Sequence, residues 1–548
     1  MSMATMIASS WFSHLIVAPV LLPLAAAAVL LLLNERQRAA KNAIALATLA
    51  ALLAVAIGLL VQTVNVGFAG RPATQVYLIG NWPAPFGIVL VADWLSNLMI
   101  VLTATIGLAA FVYSLARWDR AGPRFQALFL LQIMGLNGAF LTGDLFNLFV
   151  FFEILLAASY GLLLHGSGPE RVKAGLHYVA INVGASLLFL IGIALIYGVT
   201  GTLNMADLAT IIPGVAGGDL ALLQSGFAVL GIAFLLKAGM WPLGFWLPRT
   251  YAAAVPPAAA VFALLSKVGI YALLRVYLLL FGADTGWTGS FGEEWLLFGG
   301  IATMAYGTIG VLAARTLSRV AGYCVIISSG ILLASIGASE GSSLGGVLFY
   351  LVSSTLALSA FYLLIELVER REAEASIQAI VEPVFDDEYT GALAPADEDE
   401  EGVVIPATIA ILGGGFAFCA LLLAGLPPLS GFIAKFAIMH NLLNLETRID
   451  TSTWVLVALL VGSGLAILIA TTRAGIDMLW EPSDKPQPPL RIAEAMPVGV
   501  LLLVCLGLMI FAGPAMRYME RTSQSLQDRQ GYINAVLGAG RETGEIAR

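Results

Sequence analysis

Four ionisable residues stand where an apolar side chain would be expected. Glu153 is the only charge between Leu145 and Leu164, in LFNLFVFFEILLAASYGLLL. Lys237 sits in AFLLKAGMWPLGFWLP just ahead of a Trp-Pro pair, and Lys267 lies within VFALLSKVGIYALL. Lys435 follows a Pro-Pro pair in GLPPLSGFIAKFAIM. A carboxylate and three amines can each take up and release a proton, and desolvation brings their uncharged forms within reach. The chemistry these residues share is proton transfer along a line of buried groups. A charge at mid-bilayer costs about 2.5–3.5 kcal/mol on insertion scales, so a sequence that keeps several must supply partners or water for them. The competing explanation for each is a stem that runs along its helix and leaves the charge at the headgroups. That suits Arg275, near the end of its apolar run, but not Glu153, whose short stem starts mid-run.

The neighbours at helical spacing extend this list. Phe149, Ala157 and Tyr160 share a face with Glu153, and Tyr271 and Arg275 follow Lys267 on one face. A polar stripe at Thr355, Ser359, Tyr362 and Glu366 has the same spacing, and Ser353 lies just before it. Glu366 is close to the Glu369-Arg370-Arg371 end, so both an interfacial and a pathway position are open to it. His440 points away from Lys435 on an ideal helix and reads as packed or interfacial. Cys324, Cys419 and Cys505 are far apart in apolar stretches, without the spacing of a zinc or redox pair, and read as small packing residues. No metal site or cofactor is expected.

The elements that hold these residues are membrane spans. Of 548 residues, 59% are hydrophobic and 11% charged, with a mean hydropathy of +0.90. Soluble chains carry about 25% charged residues, which excludes that class and, with it, nucleic-acid binding. A span needs roughly 20 apolar residues. Fourteen candidates lie near 15–33, 43–64, 88–115, 125–142, 145–165, 174–198, 219–250, 255–281, 293–314, 320–338, 345–369, 404–446, 453–472 and 496–514. The first lacks a preceding basic region and reads as a retained span, not a cleaved signal peptide. The seventh and twelfth are too long and are interrupted by Pro and Gly. Paired interrupted spans point to inverted repeats with the ion path between them.

The expected fold is therefore an all-α polytopic membrane protein with about fourteen transmembrane helices, two inverted five-helix repeats and discontinuous helices seven and twelve. Spans one to three would occupy 1–123 and the first repeat, spans four to eight, 124–282. The second repeat, spans nine to thirteen, would occupy 283–475 with an acidic loop at 372–403, and span fourteen and the tail 476–548.

Loop charges give an orientation. Sixteen of the 27 Lys and Arg residues fall in loops after odd-numbered spans, and only Arg71 and Arg448 in loops after even-numbered ones. Basic loops stay cytoplasmic, so both termini are expected outside. Residues 382–401 carry nine carboxylates and no basic residue, which fits a solvated segment or, functionally, a cation-attracting or partner-docking loop.

The chain resembles the proton-translocating family shared by Mrp cation/proton antiporters and the membrane arm of respiratory complex I. TGDLFNLFVFFEILLAASYGLLL, YGVTGTLNMADL, LLKAGMWPLGFWLP and AGLPPLSGFIAKF carry the resemblance, and they look more like D-type Mrp subunits than complex I subunits. The resemblance implies that Glu153 pairs electrostatically with Lys237, that Lys267 is a central relay and Lys435 a terminal one. Relatives commonly have His where this chain has Ser353, which would replace a titrating group with a hydroxyl. It also implies a bacterial inner-membrane subunit, not an enzyme, that moves protons against Na⁺ or K⁺ beside A-, B-, C-, E-, F- and G-type partners. The alternative is a proton-pumping subunit of a complex I-like quinone reductase or a membrane-bound hydrogenase. Lys435 and the lack of a long amphipathic helix with an anchoring span after residue 515 argue against two of the complex I subunits.

Overall fold

The first helix, α1, spans Ala18–Leu32 and leads through a short loop into α2, Arg38–Phe68. This computed structural model describes residues 14–70, 73–281, 291–339, 344–381, 407–443, 450–479 and 491–540. The acidic run 382–401 lies outside the described residues.

Next comes a departure from an all-helical chain. Gln75–Leu78 (β1) pairs antiparallel with Val89–Ala92 (β2), so residues expected to begin the third span are a strand. Asp93 explains the late start of α3, Trp94–Ser114. Its carboxylate accepts from Ser96 N at 2.9 Å while Ser96 Oγ accepts from Asp93 N at 2.7 Å. This reciprocal capping box satisfies donors that a helix start would otherwise orphan.

The chain continues through α4, Phe125–Leu141, and α5, Leu145–Leu163. Asp144 separates them, accepting from Asn147 N at 2.8 Å. Then follow α6, Pro169–Thr200, the short α7, Met205–Ile211, and α8, Gly218–Ala238. After an irregular stretch come α9, Leu247–Ala253, and α10, Pro256–Leu280. The later helices are α11, Glu293–Ala313, α12, Leu317–Gly337, and α13, Gly345–Val381. They are followed by α14, Ala407–Ala424, α15, Ser430–Leu443, α16, Thr451–Leu479, and α17, Ile492–Ile510.

Eleven described helices are long and apolar enough to cross a membrane, and α1, α4 and most of α14 are shorter apolar helices. Large apolar side chains point outward around the bundle, with Leu176 at 70%, Ile309 at 69% and Leu503 at 65% exposure. In water such a surface would be unstable, whereas in hydrocarbon it is the favourable one, and helices satisfy their own backbone there. The chain is a multi-pass membrane protein. α10 and the membrane-length part of α13 are enclosed on all sides and form its axis.

Both expected interruptions are present. Span seven is α8 and α9, parted after Gly239, whose φ of +80° a Cβ would resist. Span twelve is α14 and α15, parted at Gly425 and the Pro427-Pro428 pair. Freed backbone groups at membrane depth need protein partners. Trp241 N donates to Thr303 Oγ1 of α11 at 2.9 Å, and Ala424 O accepts from Lys435 Nζ at 2.9 Å.

Residues 512–537, expected as part of the tail, form α18, Ala512–Gln527, and α19, Arg529–Leu537. α18 is amphipathic and buries Met519, Thr522, Ser523 and Leu526. Tyr518 Oη donates to Trp94 O and Leu344 N donates to Ser523 Oγ, both at 2.8 Å. These helices cover the end of the bundle that holds Asp93.

Candidate functional site

Lys267 lies midway along α10 and is fully buried. Pro256 at the start of α10 uses its fixed φ where a missing N–H costs nothing, and an unbroken run of small and apolar residues then carries the helix through the axis. The Lys267 amine donates to Ser328 Oγ of α12 at 2.8 Å, and Ser328 Oγ is 3.0 Å from Ser354 Oγ of α13. Beside it, Ser353 Oγ is 2.8 Å from Ser430 Oγ, the first residue of α15. Lys435, buried one turn further along α15, reaches back to Ala424 O across the helix break.

Lys237, in the last turn of α8, is also buried. Its amine lies 4.8 Å from the centroid of the Phe152 ring and, among the described residues, has no hydrogen-bond partner. Glu153 is half-buried on the α6 side of α5, where Ser186 Oγ donates to its Oε1. No ion pair joins Glu153 to Lys237 among the described residues.

Arg275 does not extend to the headgroups. It is buried and holds Asp93 by two hydrogen bonds, Nη1 to Oδ2 at 2.5 Å and Nη2 to Oδ1 at 2.9 Å. The reason is proximity of opposite charge: the cap of α3 places a buried carboxylate beside this turn of α10. Tyr271 belongs to the same cluster, donating to Phe140 O at 2.5 Å and accepting from Arg275 at 3.3 Å. Its hydroxyl therefore faces away from the lysines.

The remaining candidates separate. Thr355 Oγ1 returns to its own helix at Leu351 O, 2.5 Å away, and Ser359 Oγ donates to Ala260 O of α10 at 2.8 Å. Glu366 is at the opposite end of the bundle from Asp93, where Tyr113 Oη (2.6 Å) and Trp118 Nε1 (2.9 Å) donate to it and Arg117 lies 3.5 Å away. It lines a vestibule of about 330 Å³ together with Arg171, Tyr251, Ser318 and Tyr362. The hydroxyls of Tyr251 and Tyr362 are buried there without a hydrogen-bond partner among the described residues. Near its rim the His165 imidazole contacts Trp118 O at 2.9 Å, and burial holds it below its ordinary value against that hydrogen bond.

The structure thus gathers Lys267, Ser353 and Lys435 around α13, and sets Glu153 with Lys237 on the α5–α8 side. It adds Ser328, Ser354, Ser430 and Asp93, which the sequence reading did not single out. Serine doublets at 328–329 and 353–354 inside apolar helices were the available signal. Nothing in the local sequence marks Asp93 as the partner of a residue 182 positions away.

A family model described as NADH:quinone oxidoreductase/Mrp antiporter, TM, matches residues 142–383. The chain is 53% identical over 543 residues to the D subunit of a probable K(+)/H(+) antiporter of Rhizobium meliloti (strain 1021), covering 97% of this chain and 99% of that one. It is 32% identical over 535 residues to the D subunit of the Na(+)/H(+) antiporter of Bacillus subtilis (strain 168), covering 96% and 99%. Among solved structures, a chain of the Mrp complex from Dietzia sp. DQ12-45-1b matches with a TM-score of 0.79 at 25% identity, covering 96% of this chain and 100% of that chain. A chain of respiratory complex I from Thermus thermophilus with bound NADH shares the fold, with a TM-score of 0.71 at 22% identity and coverage of 96% and 100%. With near-full-length identity to two such subunits, the chain belongs to the family of D-type antiporter subunits, within the wider NADH:quinone oxidoreductase/Mrp antiporter group.

Proposed function

We propose that this chain is the proton-translocating subunit of a multisubunit cation/proton antiporter in a bacterial inner membrane, with Glu153, Lys237, Lys267 and Lys435 as its proton-bearing residues. One observation carries the reading: three lysine amines are buried in the bundle, and none has a carboxylate ion-pair partner among the described residues. A permanent buried charge without a counter-charge is costly, so an amine that alternates between charged and neutral is the economical occupant of such a site. Lys237 and Lys435 stand at the two helix breaks, where packing can shift without rupturing a continuous helix. Na⁺ or K⁺ would move in exchange, since both ions occur in the names of the relatives.

The same reading divides the chain into 1–123, an inverted pair at 124–282 and 283–475, and 476–548, with fourteen crossings and both termini outside. The vestibule beside Glu366 then faces the cytoplasm, and α18 and α19 the exterior. The A-, B-, C-, E-, F- and G-type subunits would complete the complex. A transporter subunit is favoured over a component of a redox enzyme because the relatives matched at full length are named as antiporter subunits, whereas the likeness to complex I supports the fold alone.

Cation-driven proton movement in vesicles containing the full complex tests the role of Glu153. Glu153→Gln keeps the volume and Ser186 as a neighbour but removes the charge, so transport should fall while assembly on a blot is retained. Glu153→Asp should keep more activity than Gln. Normal transport by the Gln variant would remove Glu153 from the route.

A further inference from the structure

Lys267 and Lys435 sit on different helices with α13 between them. Hydroxyls occupy the gap. Lys267 Nζ donates to Ser328 Oγ at 2.8 Å, and Ser328 Oγ and Ser354 Oγ are 3.0 Å apart. Next to Ser354 on α13, Ser353 Oγ and Ser430 Oγ are 2.8 Å apart, and Ser430 opens the helix that carries Lys435. Ser328, Ser353 and Ser354 line one small cavity, which also touches Gly431 and Tyr350. Its volume, counted as space open to the centre of a water molecule, is about 10 Å³. That is about the room one water needs, and within a largely apolar lining the three serines and Tyr350 offer it partners.

We propose that Ser328, Ser354, Ser353 and Ser430, joined by a water in this cavity, are the proton bridge between Lys267 and the break that holds Lys435. The proposal rests on the lysine route described above. A serine oxygen both accepts and donates, so it can pass a proton without storing one. Protonated Lys267 breaks an N–H bond as Ser328 Oγ forms an O–H bond. Ser328 releases its own hydrogen to Ser354, which releases one to the water. The water passes a proton to Ser353, and Ser353 to Ser430, from which it reaches Lys435 as the neutral amine. Each oxygen ends with as many hydrogens as it began, Lys267 is left neutral and Lys435 charged. The hydroxyls then turn back for the next transfer. Serine hydroxyls and water do not hold a proton at neutral pH, so no charge rests between the lysines.

Thr and Val have the same shape and differ only in the hydroxyl, which makes them the sharpest pair of substitutions here. Ser354→Thr and Ser354→Val, and the same pair at Ser353, are compared in vesicles holding the complete complex, with subunit assembly checked by blot. Thr should stay within about twofold of the parent, and Val should lose about tenfold or more in cation-driven proton movement, on the scale of removing a positioned proton-transfer group. Thr and Val indistinguishable at both positions, whether both active or both inactive, would overturn the bridge. Lys435→Ala is measured in parallel. If it alone transports normally, the lysine route fails; if it is inactive while the Val variants are not, only the hydroxyl bridge fails.

Discussion

Replacing Asp93 with Asn should destabilise the protein although the new side chain has nearly the same shape. Asn can still accept from Ser96 N, so the cap of α3 survives. What is lost is the charge facing Arg275, a guanidinium whose side chain is 7% exposed against a carboxylate at 4%. At an effective dielectric of about 20, charges roughly 3 Å apart attract by about 5–6 kcal/mol, and desolvating both groups cancels much of this. Removing one partner leaves the other charge buried alone, at a cost of about 3–5 kcal/mol. Such a loss is a large share of the ~5–15 kcal/mol typical of folded domains. Arg275→Met, which keeps a long apolar stem, should also destabilise, by stranding Asp93. Combining the two substitutions removes both charges and should recover much of the loss, giving a coupling energy well above about 1 kcal/mol in a double-mutant cycle. Thermal denaturation of the detergent-purified complex, followed by loss of the monodisperse peak, measures all four proteins. A double variant less stable than either single, or an Asp93→Asn variant as stable as the parent, would refute the reasoning.

Three further expectations follow from particular contacts. Burial lowers the His165 imidazole relative to the unfolded chain, so its neutral form contributes stability above the unfolded value, near 6.5, and that contribution is lost as pH falls through the lower folded value. His165→Gln should flatten the acid loss in melts taken from about pH 7 to about pH 5, and an unchanged slope would contradict this. A Cβ at Gly464 would press on Ala424 O and lie 3.1 Å from Lys435 Nζ, so Gly464→Ala should displace that contact, cost about 1–3 kcal/mol and impair transport. Unaltered melting and transport would show that the contact is dispensable. Finally, the three native cysteines are buried, so a cysteine placed within 382–401 should resist an impermeant reagent in intact cells while one at 285–290 reacts. Labelling in the opposite sense would invert the proposed orientation.

Much of this arrangement is legible in the sequence because hydrocarbon penalises charge. Glu153, Lys237, Lys267 and Lys435 stand out against their apolar surroundings, and Pro and Gly mark both interrupted helices. What a run of hydropathy measures is the transfer of a segment, not the identity of its neighbour. Arg275 therefore looked like a residue reaching for the headgroups until folding brought Asp93 against it. Glu153 and Lys237 could be named but not the ring of Phe152 beside the amine. Local apolarity likewise suggested helix from residue 88, where pairing with β1 and the Asp93 cap instead favour a strand. The helices at 512–537 are not legible in the sequence because α18 gains its stability by laying one face on the bundle, and a low-hydropathy tail does not announce what it packs against. Serines are uninformative singly in apolar helices, and the hydroxyl pairs exist only where α12, α13 and α15 pack together.

If Lys267 carries protons through the bundle, it must release its proton during transport, and Lys267→Arg blocks that step alone. Arginine keeps the positive charge and a long stem, but it does not deprotonate in proteins. Proton and cation fluxes should be recorded in the same vesicles of the full complex, with Lys267→Ala alongside and assembly verified for both variants. Proton and cation movement should be lost together in the Arg variant even where the complex assembles normally. Normal paired fluxes through an assembled Lys267→Arg complex would contradict it.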